Sequence, residues 1–164
     1  MYALITTMDK RPPGLRAAEW RNLLRAAWFH AMRMWFRFVL PKHFTHRGAT
    51  EYGYQERSVL HTRKKLRKFG HTYPNVFTGK LRAEVLANAT DIRATAKGVR
   101  GYLHGPKYLW QYRKNYSQPD KAKELTAVSD ADREFIAEVM DKYIARQLRR
   151  AGIRDVGAGH AVPA

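Results

Sequence analysis

A chain of 164 residues with 45% hydrophobic content has the size and composition of one globular domain. It has no cysteine, which excludes thiol catalysis, thiolate metal sites and disulfide staples. Thirty-one Lys and Arg against 14 Asp and Glu give a net charge of +17, a surplus that points to an anionic partner: nucleic acid, an acidic protein or a membrane surface. The surplus is uneven. Residues 1–79 hold 15 bases and 4 acids, residues 80–120 hold 8 and 3, and residues 121–164 hold 8 and 7.

Residues 1–13 read as an N-terminal arm, a short apolar lead from Tyr2 to Thr7 followed by DKRPPG. They lack the basic start and long apolar run of a signal peptide. From Gly14 to Leu40 there is no proline or internal glycine, and Trp20, Leu24, Ala27, Ala31, Met34 or Trp35, and Phe38 recur at helical steps. The pattern predicts an amphipathic helix roughly 40 Å long, with Pro41 stopping it. Arg21, Arg25, Arg33 and Arg37 form a separate row, either a solvated face or a set of anion contacts. His30, Arg33 and Arg37 break the apolar run too often for a membrane span, although arginine beside tryptophan also suits a helix lying on a membrane surface.

The stretch KHFTHRGATEYGYQ reads as a polar loop. A second helix is expected over Gln55–Phe69, with Val59, Leu60, Leu66 and Phe69 as a thin apolar edge and Gly70 as its cap. Arg63, Lys64, Lys65, Arg67 and Lys68 are the densest basic run in the chain, a second candidate set of DNA or anion contacts. Alternation predicts strands near Leu81–Asn88, Asp91–Lys97 and Val99–His104, with a turn at Gly98. The sheet would be antiparallel, one face covered by the long helix.

Tyr108, Trp110 and Tyr112 follow as an aromatic segment, either core or oligomer-interface anchors. Residues 113–128 read as a long loop. Ser129 opens a helix with Asp132 at the capping-box position, acids in its first turn and Arg146, Arg149 and Arg150 toward its end. Residues 151–164 read as a flexible tail. The expected fold is α+β: one domain over 14–150, with a long N-terminal helix and a C-terminal helix packed on a small antiparallel β-sheet.

No catalytic constellation is present in the spacing. His43, His46, His61 and His71, with Glu51 and Glu56 between them, could offer zinc two histidines and a carboxylate, but the HExxH spacing is missing. There is no Walker A loop, no GxGxxG and no nucleophile elbow. Acids are scarce where the bases are concentrated, which disfavours a two-metal nuclease. The sequence reads as a non-enzyme, with no metal and no cofactor.

The order of elements, with the stretch PNVFTGKLRAEVL leading into a hairpin and ELTAVSDAD opening the last helix, resembles the tail-completion, or virion morphogenesis, proteins of tailed bacteriophages. The local match is Thr78-Gly79-Lys80-Leu81-Arg82, similar to the TG-x-L-R segment that opens the sheet in those proteins. The resemblance implies a non-enzymatic α+β subunit of the head–tail neck. It would be assembled in the host cytoplasm into a homo-oligomeric ring of the virion, between portal or adaptor and tail proteins, with transient contact to phage DNA and none to membrane. A sequence-independent nucleic-acid-binding protein is the alternative. It is disfavoured as a single-strand binder because no aromatic platform lies among Arg63–Lys68.

Overall fold

The computed structural model describes residues 11–76, 78–89, 91–110 and 119–153. The long helix forms as α1, Ala17–Met34, and buries Trp20, Leu24, Ala27, Trp28, Ala31 and Met32 along one side. Glu19 closes its N-terminus by accepting from the Arg16 backbone N–H at 2.9 Å. Pro41 does not stop the helix at Leu40. The chain widens into a π-helical turn, Trp35–Val39, and then tightens into a 3₁₀ turn, Leu40–Phe44. Proline lacks the N–H that an α-helix interior needs, but at the start of a 3₁₀ turn that group has no duty. The wider turn bonds Leu40 N–H to the Trp35 carbonyl and brings Trp35, Phe36, Val39 and Leu40 all into the core.

The sheet has two strands among the described residues, not three. Strand β1, Asp91–Thr95, pairs antiparallel with β2, Gly98–Tyr102, in a register that sets Arg93 opposite Arg100 and Ala94 opposite Val99. Ala96 and Lys97 make the turn, and Gly98 is already paired with Thr95. The expected first strand is a helix, Lys80–Ala87, set off by Gly79 at φ +82°. Its buried residues are Leu81 and Val85, one helical turn apart, and Leu, Ala, Arg and Glu favour a helix once no strand is there to pair with. The TGKLR segment therefore opens a helix rather than a sheet.

Four further helices complete the fold in chain order. The polar stretch after Lys42 forms α2, His46–Glu51, capped by Thr45 Oγ1 accepting from Gly48 N–H at 3.1 Å. The basic helix α3 runs Val59–Phe69, capped by Ser58 and ended by Gly70 at φ +71°. It starts four residues later than expected because Arg57 is drawn elsewhere. With Lys80–Ala87 as α4, the expected 113–128 loop holds a short α5, Lys121–Leu125. Helix α6, Asp130–Arg150, has the expected Ser129–Asp132 capping box and buries Ile136, Met140, Ile144 and Leu148.

Helix α1 is the middle layer. Its Met32 and Phe36 side meets the hairpin so closely that a Cβ on Gly101 would lie 2.6 Å from Phe36 Cζ. Its His30 and Met34 side meets α6, where the His30 and Tyr143 rings are 4.9 Å apart. Residues four apart share a face, and 30/34 and 32/36 fall on opposite faces. The fold is thus α+β, with the hairpin on one side of α1 and the C-terminal helix on the other. No helix among the described residues is long and apolar enough to cross a membrane.

Gly48 shows how tightly the 42–55 stretch is closed. A Cβ there would lie 2.0 Å from the Lys42 carbonyl oxygen, a backbone atom that cannot rotate away. Gly48→Ala is expected to cost roughly 3 kcal/mol, as overpacking against fixed atoms does. Chemical denaturation measures this, and a variant of unchanged stability would contradict the described backbone approach.

Candidate nucleic-acid interface

The stretch expected to be a polar loop is folded inward by one hydrogen-bonded network. The Arg57 guanidinium donates to both Glu124 carboxylate oxygens, at 2.9 and 2.7 Å. Asn75 Nδ2 adds a third bond to that carboxylate, at 3.1 Å. His43 is fully buried; it stacks on Tyr52 with ring centroids 3.8 Å apart and donates from Nδ1 to the Glu124 carbonyl oxygen at 3.1 Å. The Tyr54 hydroxyl lies 2.6 Å from the same nitrogen. Tyr52 donates to Asp132 Oδ1 at 3.1 Å, and Ser129 Oγ donates to Glu51 at 3.0 Å. These bonds tie α2 to the start of α6, and the approach to α3 to α5.

Burial sets the protonation of this network. It pushes His43 down to about 4, far enough that the Glu124 carbonyl, which favours the cation, does not restore it. The Tyr52 and Tyr54 hydroxyls are held far above the ordinary phenol range, first by burial and then by Asp132 and Glu124 respectively. Burial also raises Asp132. Of the histidines considered as zinc ligands, His43 is enclosed and His46 Nε2 is bonded to Thr72 Oγ1 at 3.1 Å. Among the described residues no three His, Asp or Glu side chains gather as metal ligands.

The network presents α3 to solvent. Val59, Leu60 and Leu66, three members of the thin apolar edge, are 65%, 70% and 52% exposed. The buried member of the helix is Lys65, whose Nζ donates to the Tyr73 carbonyl oxygen. Lys65 is therefore part of the anchor and is withdrawn from the anion-contacting set. Its stem is covered and its charge is spent on backbone, while burial and then Arg57 lower its pKa. Arg63, Lys64, Arg67 and Lys68 remain exposed around the uncovered apolar residues.

The other expected contacts fall on separate surfaces. Arg21, Arg25 and Arg33 on α1 and Arg37 on the π-helical turn are all exposed, and none meets a carboxylate among the described residues. Arg37 lies 5.2 Å from the ring centre of its neighbour Phe38. Tyr108 and Trp110 are about half exposed, with Lys121 Nζ 5.5 Å over the Tyr108 ring. Tyr112 lies outside the described residues.

Sequence reasoning missed the gathering of α6 bases opposite α1. Arg146, Arg149 and Arg150 read only as complements to the helix dipole, and no linear spacing places them beside His30 and Met34. No protein-family model, curated protein or solved structure matches the chain, so the functional reading rests on this geometry and the sequence pattern.

Two outcomes test the network. Unfolded His43 has its ordinary value of 6.5 and the folded residue about 4, so the unfolded chain binds the proton first as pH falls. The stability held by neutral His43 is full above about pH 6.5 and is lost progressively down to about pH 4, a loss of about 3 kcal/mol. Denaturation across that window should be flatter for His43→Gln, and an identical slope would contradict the assignment. Arg57→Ala leaves Glu124 buried without its counter-charge and is expected to cost about 3 kcal/mol in the same assay; a change within experimental error would dismiss the pair as an anchor.

Proposed function

We propose that the chain is a non-catalytic assembly subunit of a tailed-bacteriophage head–tail neck, a tail-completion ring component through which DNA passes. The observation that carries this reading is α3. A monomer that ended its packing here would leave Val59, Leu60 and Leu66 in water on a helix held in place by a buried ion pair and Lys65. An apolar edge rimmed by Arg63, Lys64, Arg67 and Lys68 has the make-up of an element completed by a neighbour. The resemblance adds the order of elements, with the amendment that TGKLR opens α4.

Cations on α1, α3 and α6 favour the DNA part of the proposal. Phosphate contact from scattered Lys and Arg is sequence-independent and salt-sensitive, which suits a channel whose contents must move. The same distribution supports the second reading, a sequence-independent nucleic-acid-binding protein that works without a ring.

Light scattering at low and moderate salt, with and without a short duplex, separates the two. A neck subunit gives an oligomer of defined mass that survives moderate salt. Leu60→Glu with Leu66→Glu is expected to abolish that species and leave monomer stability within about 0.5 kcal/mol, since both residues are already exposed. A wild type that remains monomeric and binds duplex only at low salt would sink the ring and favour the second reading. Lys65→Glu is unsuitable as a surface probe, because it strikes the anchor.

A further inference from the structure

Between α1 and α6 lies a groove of about 670 Å³, within the range that ligand sites occupy. Met34 and Val139 are on its floor with the His30–Tyr143 pair. Lys142, Arg146, Arg149 and Arg150 line the α6 side. The Arg146 guanidinium stands 5.9 Å from the Tyr143 ring centre, in reach of the ring's negative face. Arg33, one turn beyond His30 on α1, is exposed and lies outside the groove lining. Burial first, then Arg146 and Arg33, lower the His30 pKa, so both arginines act on one imidazole from different helices.

Three of the four cations that line the groove have no carboxylate partner among the described residues. Lys142 bonds to Glu138, while Arg146, Arg149 and Arg150 form no ion pair with any described residue. Like charges brought together over an apolar floor repel one another, and an anion in the groove relieves that repulsion. Arginine forks match phosphate oxygens in pairs. The acids of α6 (Asp130, Asp132, Glu134, Glu138 and Asp141) stop short of its last two turns, which confines the attraction to the C-terminal half of the helix.

We infer that this groove is a phosphate-binding site that takes the phosphodiester backbone of DNA, with sugar edges against Met34 and Val139 and phosphates against Arg146, Arg149 and Arg150 of α6. The inference rests on the DNA contact of the proposed function and supplies the surface for it. A backbone that joins charged phosphate to less polar sugar fits a groove that sets a row of arginines beside apolar carbon. An acidic peptide offers single carboxylates on mobile arms, a poorer match to arginines fixed along one helix.

The test is fluorescence anisotropy with a short duplex and a single strand of the same sequence, from low to physiological salt, with polyglutamate as competitor. Arg146→Glu with Arg150→Glu is expected to weaken binding by about tenfold or more and to lower the salt slope by about 2, the signature of lost phosphate contacts. Arg93→Glu with Arg100→Glu makes the same charge change as the α6 pair, but on the hairpin across α1, and should have less than about a threefold effect. Binding of either nucleic acid supports the site, and the tighter of the two names the source of the phosphates.

Equal losses in the hairpin and α6 variants would overturn the site in favour of diffuse charge attraction. Displacement of DNA by polyglutamate at matched charge would overturn it in favour of a peptide groove. Light scattering on the same proteins keeps the two claims apart. A wild type that assembles but ignores DNA overturns the groove and leaves the ring standing, whereas DNA binding lost in Arg146→Glu with Arg150→Glu at unchanged oligomer mass supports the groove alone.

Discussion

The pair of bonds between Arg57 and Glu124 is the constraint on which the presentation of α3 depends. It joins segments 67 residues apart, and the carboxylate is buried. A buried carboxylate tolerates its surroundings only when its oxygens are occupied, and here Arg57 and Asn75 together occupy both. The pair turns residues 55–58 toward α5, so the helix begins at Val59 under the Ser58 cap rather than at Gln55. Broken, it would remove the tie between the start of α3 and α5.

What could be read from the sequence was whatever depended on neighbours three or four residues away. The Ser129–Asp132 capping box and the Gly70 terminus are local, and they stand where the pattern puts them. The strand expected near Leu81–Asn88 failed because both readings place apolar residues acceptably, and only the absence of a pairing strand among the described residues decides between them. Lys65 failed for a different reason. Five bases in six positions look alike in one dimension, and the one that turns inward is chosen by the Tyr73 carbonyl, eight residues on. The groove cations were invisible for the same cause at longer range: Arg146 comes beside His30 and Met34 only after α1 and α6 have packed.

Charge in this molecule is sorted in space more finely than along the chain. The last 44 residues are nearly neutral by count, yet α6 gathers acids toward one end and arginines toward the other. The arrangement satisfies the helix dipole at both ends. It also produces a cationic surface where counting residues finds none. Helix α3 differs, with bases and apolar side chains on one exposed side and its one buried base in the body. A +17 protein thus keeps two distinct kinds of basic surface, one mixed with exposed hydrocarbon and one set over a recessed floor.

The π-helical turn at Trp35–Val39 has a consequence for inheritance. It contains, in effect, one residue more than regular helix geometry asks for. Losing that residue would restore ordinary α-helical bonding through the segment, a local improvement. It would also turn everything on one side of the deletion by about 100° relative to the other. The side of α1 that carries His30 and Met34 would swing away from α6, while Trp35 and Leu40 could no longer share one interior. A change that perfects the local bonds would dismantle the three-layer order, so the imperfect turn is a phase that a descendant chain can discard only by rebuilding both of its neighbours.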